Sequence, residues 1–146
     1  MKELDLEETC HVLDEIMKCE LAGVVRYTHY SLMVTGPYRM PIVEFMQAQA
    51  RESLTHAQLA GEHLTGLEGH PSQGIADIVE TGSHDIRSIL EESLGHELEA
   101  LDLYKRLLST VEQASIYLEE YARGLIGQEE RHSLELRKML RDYSPR

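Results

Sequence analysis

The sequence predicts an all-α fold, a four-helix bundle, and three observations lead to it. Apolar residues recur every three or four positions over four long stretches, which is the period of an amphipathic α-helix. No stretch shows the strict alternation of a β-strand. The one long connection, residues 68–83, is rich in Gly, Pro and Ser and lies between the second and third helical stretches. A crossover of this length joins helices that are not antiparallel neighbours, so we expect a single domain over residues 1–146.

Local signals mark where the predicted helices begin and end. Thr35-Gly36-Pro37 ends the first helix, because glycine is common just past a helix end and proline cannot continue it. Pro41 can open the second helix within its first turn. The tail after residue 141 is too short for a further helix. The predicted helices span about residues 4–32, 41–67, 83 or 85 to 111, and 113–141.

Each predicted helix carries ionisable residues in the middle of its apolar face. The first and third helices carry one carboxylate each, Glu20 and Glu97. The fourth helix carries a glutamate and a histidine three positions apart, and the second carries such a pair four positions apart; both spacings place the side chains on one face. A charge that faces a core needs a partner. The two pairs are Glu129 with His132 and Glu52 with His56.

An internal repeat relates the two halves of the chain. In each half, the lone glutamate precedes the glutamate of the pair by 32 residues and the histidine by 36 or 35. A tyrosine follows each lone glutamate by seven positions on the same face, Tyr27 in the first half and Tyr104 in the second. Two helix pairs with this shared spacing would pack about a pseudo-two-fold axis, which brings the ionisable groups to one level of the bundle.

Convergence of four carboxylates and two imidazoles favours a metal centre. Buried carboxylates would repel one another and take up protons, whereas two divalent cations balance four negative charges. Oxygen and imidazole ligands suit iron or manganese better than the metals that prefer sulfur. Bridging carboxylates would hold the two ions roughly 3.5–4 Å apart.

Structural interpretations stay open beside the metal centre. A Glu/His pair on one face can be a solvated helix edge, and the whole set can form a polar core. Tyr27 and Tyr104 can be core residues as well as hydrogen-bond donors to the site. His63 shares a face with His56 but lies two turns away, which makes it a weaker candidate ligand. The remaining histidines are expected at surface, loop or cap positions: His11, His29, His70, His84 and His96.

Composition limits the possible partners. The formal net charge is −12 with no basic cluster, and there is no Trp and one Phe, so nucleic acid is not an expected partner. The acidic N-terminus lacks the pattern of a signal peptide, and no window has the roughly 18 apolar residues of a membrane span. Cys10 and Cys19 lie about 13 Å apart along one predicted helix, too far for a disulfide, so a reducing cytoplasm is expected.

Four segments resemble the ferritin-like di-iron carboxylate superfamily, most closely its bacterioferritin and rubrerythrin branch. They are Glu20-Leu-Ala-Gly-Val-Val-Arg-Tyr27, Glu52-Ser-Leu-Thr-His56, Glu97-Leu-Glu-Ala-Leu-Asp-Leu-Tyr104 and Glu129-Glu-Arg-His132. The resemblance implies a ferritin-like bundle that holds iron, with Tyr27 as a catalytic residue buried beside the site. It also implies the metal ligands: Glu20 and Glu97 as terminal carboxylates, Glu52 and Glu129 as bridging carboxylates, and His56 and His132 as terminal nitrogens.

The chain departs from this family's pattern. The family has Glu-x-x-His in the second helix too, whereas here Ser53 takes the glutamate position and Glu52 precedes His56 by four residues. Bacterioferritins carry a haem-ligating Met just after that glutamate, and Ser53-Leu54 has none, so haem is not expected. The short fifth helix that helps close the large storage cage is missing, and so is the cysteine quartet of a complete rubrerythrin.

The expected function is oxidation of Fe(II) with O₂ or H₂O₂ by a ferroxidase, in iron storage or detoxification. Mn or Zn are possible substitutes for iron in the same ligand set. Two other classes stay open: a di-iron oxidase or hydroxylase of an organic substrate, and a non-catalytic metal-binding helical dimer. Off its main apolar face the first helix still has Leu21, Val25 and Leu32, which predicts a homodimer, with a larger cage left open.

Overall fold

The computed structural model describes residues 1–141, and within them all regular secondary structure is helical. Four long helices form the bundle, which confirms the predicted fold class. No helix within the described residues has the length and apolar composition that a bilayer span needs. The predicted tail after residue 141 lies outside the described residues. The helices are α1 (Leu6–Met33), α2 (Arg39–Gly66), α3 (Ile86–Val111) and α4 (Ile116–Leu140).

Side-chain caps determine where three of the helices begin. Asp5, Asp85 and Ser115 each accept a hydrogen bond from the backbone N–H three residues further on. α2 begins without a side-chain cap, after a turn in which Gly36 has a φ of 96°, a left-handed conformation that favours glycine. Pro41 lies in the first turn of α2, where a missing N–H leaves no helical hydrogen bond unmade.

The crossover places α3 beside α1. α1 packs against both α2 and α3, and α3 packs against α4. Residues 67–85 run along α1 and are tied to it by two backbone donors. The N–H of Ser72 donates to Asp14 Oδ1 at 2.8 Å, and the N–H of Ala76 donates to the carbonyl of Lys18 at 3.1 Å. The chain therefore passes from α2 to α3 along the outside of the bundle, as the length of the connection predicts.

Two apolar cores lie on either side of a polar layer. Glu20, Glu97 and Glu129 occupy this layer, and all three are buried. Because apolar side chains cover the layer from both ends of the bundle, the carboxylates are held away from bulk water. One core includes Leu13, Ile16, Ala60, Leu107 and Leu118, and the other includes Tyr30, Ile42, Met46, Leu90 and Leu136.

α2 is rotated about its own axis relative to the orientation that its sequence pattern predicts. The sequence pattern places Ala48, Thr55 and Leu59 on the core face, but all three are exposed. Ser53 and Ala57 are buried instead. Apolar residues such as Leu59 also occur on the outer side of α2, so the helical period alone does not single out one face.

Candidate metal centre

The six predicted ligands lie at one level of the bundle but at different depths. The carboxylates of α1, α3 and α4 are almost completely enclosed, as is the imidazole of α2. The two remaining side chains reach the edge of the bundle. Side-chain exposure is 2% for Glu20, 4% for Glu97, 1% for Glu129, 6% for His56, 16% for His132 and 37% for Glu52.

Glu20, His56 and Glu129 form the first group of potential ligands. One donor atom from each lies within 4.8 Å of the other two. His56 Nδ1 is 2.9 Å from Glu20 Oε2 and 3.6 Å from Glu129 Oε1. Two carboxylate oxygens and one imidazole nitrogen therefore face a common point, a donor set that suits iron or manganese.

Glu97, Glu129 and His132 form the second group, within the same 4.8 Å limit. His132 Nδ1 is 3.8 Å from Glu97 Oε2 and 3.7 Å from Glu129 Oε2. Glu129 thus belongs to both groups and turns a different oxygen towards each. A carboxylate in this position can bridge two metal ions.

Two buried side-chain atoms of the centre, both able to bind a metal ion, lack a hydrogen-bond partner. Glu129 Oε2 and His132 Nδ1 are both enclosed, and neither has a hydrogen-bond partner. Buried polar atoms are normally satisfied, so an orphaned pair on adjacent turns needs an explanation. A cation bound between them would satisfy both, and the residues present therefore fit a metal ion.

Two tyrosines orient the terminal carboxylates across the bundle. Tyr27 of α1 donates a hydrogen bond to Glu97 Oε1 of α3 at 2.5 Å. Tyr104 of α3 donates to Glu20 Oε2 of α1 at 2.9 Å. The exchange follows the pseudo-two-fold relation that the repeat predicts. Each tyrosine thus fixes one oxygen of the carboxylate on the opposite helix.

Burial and charge shift the pKa values of the buried groups in opposite directions. Burial raises the pKa of Glu20 and of Glu97, because a charged carboxylate loses its hydration there. Burial also acts to raise the pKa of Glu129, but the neighbouring imidazoles of His132 and His56 outweigh it, and the pKa is lowered.

The imidazoles respond to the same carboxylates. Burial acts to lower both of their pKa values, but the surrounding carboxylates outweigh it and raise the pKa of His56 to about 10 and of His132 to about 12. At neutral pH the metal-free centre therefore holds two imidazolium charges among its carboxylates. A bound metal ion must displace these protons, because only neutral imidazole is a ligand.

Glu52 is not brought into either group of potential ligands. Its Oε1 lies 3.2 Å from His132 Nε2 and 3.7 Å from His56 Nε2, so it contacts the outer nitrogens of the two imidazoles. The inner nitrogens, Nδ1, face the buried carboxylates. A hydrogen bond with His132 lowers the pKa of Glu52, which is consistent with a charged carboxylate at this edge. Its predicted role as a bridging ligand stays a prediction.

Ser53 occupies the position on α2 that matches Glu129 on α4. The 76 residues that separate His56 from His132 also separate Ser53 from Glu129. Ser53 is buried at this level of the bundle, as its counterpart is. The centre therefore has an uncharged side chain where the repeat would place a fourth inward carboxylate.

His96 is a buried neighbour of the centre that sequence reasoning misplaced. It was expected at the surface, but it is 3% exposed and its Nε2 has no hydrogen-bond partner. A Cβ at Gly23 would lie 2.6 Å from His96 Nε2 and 2.9 Å from Ser53 Oγ. Small residues at these two positions thus make room for the imidazole, which packs edge-on against Tyr27. A lone histidine beside Glu97 carries no sequence signal for this.

His63 lies apart from the centre. Its ring is 4.2 Å from the ring of Tyr121 and 5.3 Å from that of Tyr117, measured between centroids. It is in neither group of potential ligands. The weaker candidate ligand of α2 is thus an aromatic packing residue at one end of the bundle.

Comparison with known proteins identifies the fold. The ferritin family model, described as a ferritin-like domain, matches residues 10–144. No curated protein matches the chain.

Several solved structures share the architecture. A ferritin-like, diiron-carboxylate protein from Bacillus anthracis str. Ames is 23% identical, with a TM-score of 0.88 over 95% of this chain and 99% of that one. A dodecameric thioferritin, the bacterioferritin-related protein from Bacteroides fragilis, is 22% identical, with a TM-score of 0.86 over 97% and 89%. A bacterioferritin from Rhodobacter capsulatus is 24% identical, with a TM-score of 0.82 over 97% and 88%. At these identities the likeness is one of fold.

Proposed function

Because the chain belongs to the ferritin-like domain family, we propose that it binds two Fe(II) ions in the centre of the bundle and oxidises them with O₂ or H₂O₂. The observation that carries the proposal is the shared carboxylate. Glu129 lies between two groups that each add one glutamate and one histidine. A single metal site would not need two such groups on either side of one carboxylate.

The proposed reaction takes iron as its substrate. Two Fe(II) ions supply two electrons, which with two protons reduce O₂ to H₂O₂ or reduce H₂O₂ to two molecules of water. Glu20 with His56 would hold one ion, and Glu97 with His132 the other. Carboxylate oxygens stabilise the harder, more highly charged ferric product. The acidic surface, with its formal net charge of −12, would draw cations towards the protein.

We assign Tyr27 and Tyr104 to positioning of the terminal carboxylates. The phenol of Tyr27 holds Glu97 Oε1 and leaves Oε2, which faces His132, for a metal ion. The phenol of Tyr104 holds Glu20 Oε2, the same oxygen that faces His56. Donation of an electron by Tyr27, the catalytic role expected from the family resemblance, stays a prediction.

We propose that Glu52, on the outer side of the two imidazoles, orients a ligating histidine and does not bind the metal ions. A carboxylate that accepts a hydrogen bond from the far nitrogen of a ligating histidine fixes the tautomer and the ring orientation. Glu52 Oε1 is 3.2 Å from the far nitrogen of His132, so Glu52 can orient that ring. The far nitrogen of His56 is 3.7 Å from Glu52 and 3.1 Å from Gln128 Oε1, so Gln128 is its hydrogen-bond partner. This arrangement differs from the bridging role implied by the family pattern.

The cavity between α1 and the crossover does not adjoin the proposed metal ions, so it gives no support to an organic substrate. A cavity of about 450 Å³ lies between α1 and the crossover, and none of the six predicted ligands lines it. An oxidase of an organic molecule would need a pocket beside the metal ions. Manganese or zinc could occupy the same donors, haem binding is not proposed, and the free thiols of Cys10 and Cys19 favour the cytoplasm.

Replacement of Glu129 tests the proposal. Glu129→Ala should slow the rapid phase of Fe(II) oxidation, in a stopped-flow trace, by more than the roughly 10–100-fold that loss of an outer hydrogen-bond partner costs. Glu130→Ala is the matched control, since Glu130 is the exposed next residue of α4, and it should oxidise iron at the parent rate. A Glu129→Ala variant that oxidises iron as fast as the parent would refute the proposed function.

A further inference from the structure

Two histidines face each other where the crossover reaches the start of α3. His29 lies in the last turns of α1 and is exposed, and His84 is the second residue before α3 and is half-buried. Their Nε2 atoms are 3.2 Å apart, and their ring centroids are 5.2 Å apart. Neither residue belongs to the centre described above.

The separation of the two nitrogens suits a shared metal ion. Two imidazole nitrogens that each lie about 2.0–2.1 Å from a tetrahedral metal ion lie roughly 3.3–3.4 Å from each other. The observed 3.2 Å between His29 and His84 is close to this value. A direct hydrogen bond would need one ring to carry its proton on Nε2 and the other to carry it on Nδ1, whereas a metal ion accepts both lone pairs.

The surroundings leave coordination positions open. The pair lines the cavity of about 450 Å³ between α1 and the crossover. Glu92 also lines it, but its oxygens already accept hydrogen bonds from Tyr30 at 3.1 Å and Thr81 at 2.9 Å. No third His, Cys, Asp or Glu of residues 1–141 completes a ligand group here. Water would therefore fill the remaining positions.

We propose that His29 and His84 bind one divalent transition-metal ion of the imidazole-preferring class, such as Zn(II), Ni(II) or Cu(II), through their Nε2 atoms. The ion joins the end of the crossover to α1. The earlier part of the crossover is already tied to α1 through Ser72 and Ala76. A metal ion at the histidine pair fastens residues 77–84 as well, because ligands must come together in the folded chain to bind it.

The donor sets separate this site from the centre. Two nitrogens with water favour the later metals of the first transition row, whereas the carboxylate-rich centre suits iron or manganese. The two sites can therefore be measured independently, and failure of one proposal leaves the other standing.

Metal stoichiometry tests the proposal. Zn(II) bound after equilibrium dialysis is measured by elemental analysis in the parent and in a Glu129→Ala background, where the centre is disabled. His29→Gln and His84→Gln should each lose one equivalent in both backgrounds, and the double variant should lose no more than one. His11→Gln on α1 and His70→Gln on the crossover replace exposed histidines of the same elements and should keep the parent stoichiometry. All four variants should keep the parent helicity.

Proteolysis of the crossover gives a second measurement. Glu80 is exposed within residues 77–84, so a glutamyl endopeptidase can cut the Glu80–Thr81 bond. Zn(II) should slow this cut in the Glu129→Ala protein and leave its rate unchanged once His29→Gln or His84→Gln is added. The proposal is overturned if both histidine variants bind as much Zn(II) as their parent, or if Zn(II) does not protect the bond.

Discussion

Glu129 has a different environment at each carboxylate oxygen. Oε1 lies 3.6 Å from His56 Nδ1, and Oε2 lies 3.7 Å from His132 Nδ1. The matching residue on α2, Ser53, cannot share this role because it has no charge. The proposed pair of metal ions therefore depends on one inward bridging carboxylate, which makes Glu129 the most sensitive residue of the centre.

At Glu52 the two possible roles predict different results. If Glu52 orients the imidazole of His132 from outside, Glu52→Ala should weaken iron binding roughly 10–100-fold but still bind two equivalents at saturation. Isothermal titration under anaerobic conditions measures both quantities. Glu44→Ala, at an exposed glutamate of the same helix, should match the parent. Loss of one equivalent at saturation in Glu52→Ala would show instead that Glu52 is a ligand.

Gly23 should be intolerant of a side chain. Gly23→Ala places a Cβ 2.6 Å from His96 Nε2, and a forced shift in a packed core costs about 1–3 kcal/mol of unfolding free energy. Gly124→Ala on α4 meets nothing within 4 Å and should instead stabilise the helix, by up to about 1 kcal/mol. Urea unfolding of the metal-free proteins measures both effects.

A second substitution, at His96, tests whether the close contact with His96 causes the lower unfolding free energy of Gly23→Ala. Adding His96→Ala to Gly23→Ala removes the nearer of the two atoms that the new Cβ would meet and leaves Ser53 Oγ at 2.9 Å. The cost of Gly23→Ala should therefore be smaller in the His96→Ala background than in the parent. Equal costs in the two backgrounds, or a Gly23→Ala variant as stable as Gly124→Ala, would contradict the close packing of Gly23 and His96.

At the scale of the helices, the cap of α4 supports the centre from a distance. Ser115 Oγ accepts from the N–H of Leu118 at 3.2 Å, so Ser115→Ala should lower the unfolding free energy by about 0.5–2 kcal/mol. Ser115→Asp keeps an acceptor and should restore most of the loss. Ser109→Ala, at an exposed serine of α3, serves as the control in thermal melts. Equal melting temperatures for Ser115→Ala and Ser109→Ala would show that the cap is unimportant.

The helices also show how far the sequence alone can lead. The period of the apolar residues and the Gly and Pro residues at the helix ends located all four helices to within a few residues. The internal repeat identified the lone carboxylates Glu20 and Glu97. The predicted orientation of α2 about its own axis was wrong, because apolar residues such as Leu54 and Leu59 also lie on its outer side. Successive residues of a helix are about 100° apart around its axis, so a rotation by that angle places Ser53 on the inward face in place of Glu52.

For the whole molecule, an exposed apolar surface remains on the outside of the bundle. A cavity of about 310 Å³ between α1 and α2 is lined by Leu21, Leu54 and Ala57, and Val25 is exposed on the same helix as Leu21. Surfaces of this kind are often buried against another protein chain. A two-fold homodimer is the simplest way to cover this one, and it stays a prediction.

Charge substitution on that surface tests the homodimer. The parent should sediment as a dimer at micromolar concentration, and Leu54→Lys should shift it towards the monomer, because the ammonium would be buried in the interface. Leu134→Lys introduces the same charge at an exposed leucine of α4 and should leave the dimer intact. A parent protein that sediments as a monomer would refute the prediction.

The sequence by itself determined the number and extent of the helices, the crossover, and the level at which ionisable residues would meet. These features depend on local period and spacing, which each stretch of chain carries independently. Only the tertiary structure decided that Glu129 belongs to both ligand groups while Glu52, the other expected bridge, lies outside the imidazoles, and that His96 is buried behind Gly23. Those outcomes depend on which side chains of the neighbouring helices fill the same space, and spacing along one helix does not contain that information.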